Sequence, residues 1–193
     1  MKILRAENYK RMPWKNGGGE TVEIAIFPEN ASLGDFDWRV SMATVASDGP
    51  FSSFPGIDRT LSILQGKGMR LTIEGREPAL MTGETAPLPF PADVATSATL
   101  VDGPIVDLNV MTRRGKLMHT VQRLTIGHPQ TVDGTADTTI VLCHGGAVRL
   151  AAAEGQADLA TGDTAILKGS ASVTIEPTTS AVVFLITIDR PAA

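Results

Sequence analysis

Residues 14–21, WKNGGGET, set an indole, a cation and a two-way amide (Trp14, Lys15, Asn16) directly before three consecutive glycines. Glycine admits backbone angles closed to other residues and lets a ligand approach backbone N–H groups closely. Trp14, Asn16, Gly17 and Gly18 are therefore candidates for recognising an anion or a carbonyl. The segment lacks the Lys-Ser/Thr ending of a phosphate loop and precedes a strand pattern instead of a helix. Its structural alternative is a bulge or arch leading into Val22. In residues 38–45, WRVSMATV, period-two alternation puts Arg39, Ser41 and Ala43 opposite Trp38, Val40 and Met42. A guanidinium and a hydroxyl on one strand face make a fork for a carboxylate, unless that face is simply solvated. Residues 49–61, GPFSSFPGIDRTL, add Phe51, Ser52 and Arg59. Here the Asp58-Arg59 adjacency could be a local ion pair, and Phe51 and Phe54 could plug a barrel end. In residues 106–115, VDLNVMTRRG, Asp107, Asn109 and Met111 alternate with Val106, Leu108 and Val110, so the polar pair points either to water or into a lumen.

Other chemistries find less support. The three histidines, His119, His128 and His144, form no His-x-His pair and lie near no acidic residue at ligand spacing, and His144, at a glycine-turn position that matches Gln65, reads as a solvated turn residue. A transition-metal site needs three or four converging donors, so neither a metal nor another cofactor is expected. No serine sits in a Gly-x-Ser-x-Gly elbow, and the single cysteine, Cys143, has only its neighbour His144 to activate it. Glu20, Glu23, Asp58, Asp107 and His119 are possible acid–base groups, but spacing alone pairs no two of them.

The elements that position these residues are strands. Short apolar alternations recur at Val22–Ile26, Trp38–Met42, Met69–Ile73, Val106–Val110, Ile140–Leu142, Val148–Leu150, Ala165–Leu167, Val173–Ile175 and Val182–Ile188, punctuated by 19 Gly and 12 Pro. No window carries a helical stripe. An internal repeat sharpens this: TLSILQGKGMRL from Thr60 aligns without gaps on the segment from Thr139, pairing Gly66 with Gly145 and Arg70 with Arg149. Each copy reads as strand, glycine turn, strand. Residues 87–93 and 159–168 then supply turns before a closing apolar strand. Two tandem β-barrels of jelly-roll type explain the 79-residue offset; two unrelated Gly-centred hairpins are the alternative.

A formal net charge of -4 leaves no electrostatic footprint for nucleic acid, and no apolar run is long enough for a membrane helix. The lone cysteine and an N-terminus without the pattern of a secretory signal imply a cytoplasmic protein. Seven of the nine aromatics fall before residue 60, and beyond Arg123 only Arg149, Lys168 and Arg190 are basic, which places a ligand site in the first copy. The apolar strands could pair edge to edge in a homodimer.

The order of apolar strand, glycine turn, apolar strand and Gly-Asp, as in VLCHGGAVRL followed by LATGDTAIL, resembles the cupin pattern. More specifically, WKNGGGET, WRVSMA, GPFSSFPGIDRTLSILQGKGMRL and DGPIVDLNVMTRRG, in this order, are similar to the HutD/Ves family of bacterial bicupins. The motif positions carried are Trp14, Asn16, the glycine triplet, Trp38, Arg39, Ser41, Phe51, Ser52, Pro55, Asp58, Arg59, Asp107, Asn109 and Arg113. The resemblance implies an all-β bicupin: a first barrel in residues 1–125 carrying the ligand site, and a second, degenerate barrel in residues 126–193, packed as one compact unit. It also implies a metal-independent cytoplasmic protein that senses a small carboxylate of histidine utilisation, of the urocanate or formylated-glutamate class. A ligand site built from Trp14, Asn16, Gly17, Gly18, Arg39, Ser41, Phe51, Ser52, Arg59 and Asn109 follows; a metal-independent isomerase or hydrolase acting on a related acid is the alternative.

Overall fold

The computed structural model describes residues 1–14, 17–169 and 172–191. Its strands are β1 (Lys2–Leu4), β2 (Lys10–Pro13), β3 (Gly19–Phe27), β4 (Trp38–Val45), β5 (Gly49–Pro50), β6 (Ile57–Gln65), β7 (Met69–Ile73), β8 (Ala79–Met81), β9 (Leu88–Pro91), β10 (Thr96–Leu100), β11 (Ile105–Arg113), β12 (Met118–Ile126), β13 (Gln130–Val132), β14 (Thr138–Gly145), β15 (Val148–Ala152), β16 (Gly155–Leu159), β17 (Thr164–Lys168), β18 (Val173–Pro177) and β19 (Ala181–Asp189). One short 3-10 turn, Ala6–Asn8, is the only helical element among the described residues, and no helix is long and apolar enough to cross a membrane. Alternation drives the strands: in β7, Met69, Leu71 and Ile73 are buried while Arg70 and Thr72 are exposed.

The chain divides into two units, Lys10–Met118 and Met1–Tyr9 with His119–Ala193. Within the first, a six-stranded sheet ordered β2-β3-β4-β11-β6-β9 and a four-stranded sheet ordered β5-β10-β7-β8 enclose Leu61, Ile63, Met69, Leu71, Ile73, Phe90 and Ile105. Within the second, sheets ordered β1-β17-β14-β19-β12 and β13-β18-β15-β16 enclose Val141, Cys143, Val148, Leu150, Val173, Ile175 and Val183. Adding eight to every strand number in β4-β11-β6-β9 and β5-β10-β7-β8 reproduces β12-β19-β14-β17 and β13-β18-β15-β16. Such agreement across eight strands is a duplicated barrel, not two chance hairpins.

The gapless alignment of the copies holds after the glycine turn and slips by one residue before it. Met69 and Leu71 correspond to Val148 and Leu150 in the two cores, as expected. The inward residues of β6 are Leu61 and Ile63, however, and those of β14 are Val141 and Cys143 instead of Ile140 and Leu142. The turn between Cys143 and Val148 is one residue shorter than that between Ile63 and Met69, and a one-residue slip exchanges the faces of a strand. The true counterpart of Gly66 (φ 92°) is consequently Gly146 (φ 78°), since a Cβ at either would meet the carbonyl entering the closing strand: Pro104 O at 2.6 Å and Ser180 O at 2.7 Å. At Gly145 a Cβ meets nothing within 4 Å. Gly146→Ala should therefore cost about 1–3 kcal/mol in urea unfolding and Gly145→Ala about 0.5 kcal/mol or less; the reverse ranking would restore the gapless alignment.

Three expectations shift. Residues 87–93, read as a turn, contain β9, in which Pro89 and Pro91 are accommodated because β9 is an edge strand with only β6 beside it. His144, read as a solvated turn residue, lies in β14 with its ring edge-on to Phe184, 5.6 Å between centroids. The segment Met1–Tyr9, expected in the first barrel, pairs through β1 with β17, and β12 also joins the second unit's sheet, so residues 119–125 lie there too. Asp163 explains the N-terminal attachment: it accepts hydrogen bonds from Arg5 Nη1 (2.6 Å) and the Ala6 amide (3.0 Å). Beside it Tyr9 Oη donates to Gly162 O at 2.7 Å. The Gly-Asp pair of the repeat thus ties down the chain terminus.

Candidate functional site

Arg39 and Ser41 of β4 and Asp107 and Asn109 of β11 face inward. Strand register sets Asn109 opposite Ser41 on one side and Leu61 on the other; Asp107 opposite Ala43 and Ile63; and Met111 opposite Arg39 and Arg59. On β3, Glu23 stands opposite Ser41, next to a bulge that shifts register between Glu23 and Ala25. These side chains share the sheet face that carries Leu61, Ile63 and Ile105, and they form a polar band. One flank is the apolar cluster around Leu61, and the other is a smaller cluster of Phe36, Ile57, Ala92 and Met111. The band is nearly closed to solvent: Arg39 is 5% exposed, Arg59 3%, Asp107 1% and Asn109 6%.

Buried polar atoms need partners, and the band satisfies only some of its own. Arg39 Nε donates to Glu23 Oε2 at 2.7 Å, a pair with 5% and 14% side-chain exposure. Asn109 Nδ2 donates to Asp107 Oδ1 at 2.7 Å. Arg59 Nη2 donates to the Ser52 carbonyl at 3.3 Å, and its guanidinium carbon lies 5.4, 5.3 and 5.7 Å from the ring centres of Phe51, Phe54 and Phe90. An aromatic cage of this kind holds a guanidinium out of water while leaving its in-plane edges for an acceptor. Among the described residues two atoms of the band find no partner: Arg59 Nε, a donor, and Asn109 Oδ1, an acceptor.

Electrostatics match this geometry. Desolvation lowers Arg59 to about 10, with nearby Asp107 acting to raise it and Arg39 to lower it, so the guanidinium stays charged at neutral pH. Burial pushes Asp107 up to about 7, against the opposing pull of Arg59 and of its hydrogen bonds with Asn109 and Ala43. Its carboxyl is consequently poised between charged and neutral at physiological pH.

The other candidates are placed as follows. Trp14 packs against the first unit's core and donates from Nε1 to Thr21 Oγ1 at 2.8 Å. Asn16 and Lys15 lie outside the described residues. The Gly17 amide, expected to serve a ligand, is already donated to Trp14 O (3.0 Å), and Gly18 O accepts from the Ala46 amide at 3.0 Å. What the triplet requires most is Gly19: a Cβ there would sit 2.0 Å from Thr44 O and 3.0 Å from the Trp14 ring. Gly19→Ala should lower stability by about 1–3 kcal/mol in thermal or urea unfolding by displacing Trp14 or splaying β3 from β4; an unchanged midpoint would remove the close approach as the reason for glycine. Ser52 has an exposed side chain and contributes its backbone carbonyl to Arg59, not its hydroxyl. Adjacent residues on a strand face opposite ways, so Asp58 does not pair with Arg59; it meets Arg114 Nε at 2.8 Å, and Arg114 also binds Asp93. Arg113 holds the carbonyls of Gly34 (2.9 Å) and Phe36 (2.8 Å) and so shapes the turn before β4.

Two contributors escaped sequence reasoning. Phe90 was hidden in a segment read as a turn, although a lone aromatic between prolines is an edge-strand signal. Glu23 is a possible acid by residue type, and its role as the partner of Arg39 depends on the β3–β4 register. In the second unit, Val183 and Leu185 occupy the positions of Asp107 and Asn109 on the closing strand, and Val141 and Cys143 those of Leu61 and Ile63. That barrel interior is apolar where the first is charged.

Among the described residues no cluster of three or more His, Cys, Asp or Glu side chains could hold a metal ion. Duplicated barrels of six plus four and five plus four strands, one with a buried polar band, define a two-barrel cupin, a fold also found in solved cupin barrel proteins. Residues 6–185 match the model of the HutD family, and the chain belongs to that family. It is 41% identical over 113 residues, 58% of this chain and 57% of the other, to an uncharacterized 21.2 kDa protein in the hutC 3′ region of Pseudomonas putida. The matched stretch thus spans little more than half the length of that relative. Among solved structures, a conserved protein of unknown function from Pseudomonas aeruginosa PAO1 superposes with a TM-score of 0.90 at 33% identity, covering 97% of this chain and 98% of that one. HutD from Pseudomonas fluorescens SBW25, determined in a formate condition, superposes with a TM-score of 0.83 at 30% identity and 99% coverage of both.

Proposed function

We propose that the polar band of residues 10–118 binds a small carboxylate metabolite, and that the protein acts as a metabolite-responsive regulator in histidine utilisation. The observation that carries this reading is Arg59: a charged guanidinium, nearly sealed from water within a cage of three phenyl rings, with Nε unpartnered. Leaving such a donor buried and unsatisfied is costly, and a ligand oxygen beside it would relieve that cost with a charge-assisted hydrogen bond. Asn109 on the adjacent strand and Ser41 on the strand beyond it, on the same face, together with the Phe51 and Trp14 rings, would complete the recognition surface. The setting of a relative in the hutC 3′ region supports a role near histidine catabolism, and the formate condition used for the Pseudomonas fluorescens protein is compatible with the smallest carboxylate as a probe.

A thermal-shift screen of the purified protein against formate, glutamate, urocanate, formylglutamate and formiminoglutamate tests the reading, since a ligand of the native state raises the melting temperature with concentration. A selective shift supports it; no shift with any acid sinks it. A second reading, a metal-independent enzyme acting on a related acid, draws on Asp107, whose poised carboxyl is what a general base requires. Recovery of chemically altered acid after incubation would favour the enzyme; recovery of unchanged acid would favour the regulator.

A further inference from the structure

The band contains two guanidiniums, Arg39 and Arg59, and two carboxyl groups, Glu23 and Asp107. Glu23 is committed to Arg39 at 2.7 Å, so Asp107 is the acid left to balance Arg59. Among the described residues of this unit the one other buried charged side chain is Asp37, which is paired with Lys116. Across the barrel, the buried residues of the four-stranded sheet are Met69, Leu71, Ile73, Met81, Ala98 and the uncharged Thr96, and β9 contributes Phe90. With Asp107 ionised the band is neutral, and a carboxylate arriving beside Arg59 would be a third negative group against two cations in a region nearly closed to water. Repulsion between carboxylates is large in such surroundings and is relieved when one of them takes a proton.

Asn109 carries the same message by geometry. An ionised Asp107 only accepts, so it holds Asn109 by Nδ2 and leaves Oδ1 as the unpartnered atom of the amide, an acceptor that repels a carboxylate. A protonated Asp107 can donate to Oδ1 once the amide turns over, which frees Nδ2 as a donor. The orientation of the Asn109 amide is thereby tied to the proton on its neighbour.

We propose that the site binds its carboxylate ligand together with one proton from solvent, held on Asp107, and that Asn109 turns its amide to donate to the ligand. This rests on the carboxylate-binding reading above and adds its regulation: occupancy reports acid concentration and pH jointly. The test is isothermal titration of the full chain with formate, which remains ionised at the pH values used, in phosphate and in Tris, whose ionisation heats differ. Near pH 8 the difference in heat between the two buffers should correspond to uptake of about one proton per ligand, falling towards zero near pH 5.5. Affinity should weaken about tenfold per pH unit above 7. Asp107→Asn should bind formate with neither proton uptake nor this pH dependence. Formate binding near pH 8 with no buffer dependence overturns the proposal while leaving the carboxylate site standing. Absence of binding in either buffer overturns both. An Asp107→Asn protein that still takes up a proton moves the proton to another group and refutes the assignment. The wild-type buffer comparison decides the matter even if the variant does not fold.

Discussion

Arg59→Ala should weaken carboxylate binding by about a hundredfold, enough to erase a thermal shift at ligand concentrations that saturate the wild type. The loss is large because Arg59 supplies the unpartnered donor and, with Glu23 paired to Arg39, the band's remaining positive charge. Stability should fall as well, by about 3 kcal/mol near pH 8, since truncation empties the space between Phe51, Phe54 and Phe90 and removes the cation facing Asp107. Arg59→Met separates the two effects: its apolar chain fills much of the cage and restores part of the stability, yet offers no donor and restores no binding. Equilibrium binding of the three proteins, with urea unfolding beside it, gives the comparison. An Arg59→Ala protein with wild-type affinity would take Arg59 out of ligand contact altogether.

Asp107 should make the unliganded protein less stable as pH rises from about 4 to 7. Across that window the folded protein keeps a proton on Asp107, raised to about 7, which the unfolded chain with its ordinary value of 3.8 has already released. The native state therefore binds more protons than the unfolded state, and stability declines with pH until it levels off above 7. A shift of this size corresponds to about 4 kcal/mol. Asp107→Asn mimics the neutral form permanently, so it should be more stable than the wild type near pH 8, with the difference closing towards pH 4. The opposing carboxylate Asp93, held down to about 2 by Arg114, acts only below this window. Urea midpoints of both proteins at about pH 5 and 8 measure the effect; a wild-type minus variant difference independent of pH would mean that Asp107 is ionised throughout.

Alternation in WRVSMATV and VDLNVMTRRG was enough to put Arg39 with Ser41 and Asp107 with Asn109, because successive side chains of a strand point to opposite faces whatever the strand packs against. The duplication was legible for the same reason, since strand, glycine turn and strand are local features. Which face of β4 and β11 points inward is not a local property. It depends on where the second sheet closes, and only the folded barrel shows that Asp107 and Asn109 are buried instead of solvated. Strand pairing likewise brings together residues far apart in the chain: Phe90 with Arg59, Glu23 with Arg39, Asp58 with Arg114, and the N-terminal strand with β17. The one-residue slip between the copies belongs with these, because similarity of residue types scores a face and its neighbour almost equally when both are apolar, whereas the barrel interior admits one of them. The sequence by itself thus determined the strands, the repeat and the composition of each face; tertiary structure decided which faces are buried and which charges meet, and those are the properties from which ligand binding follows.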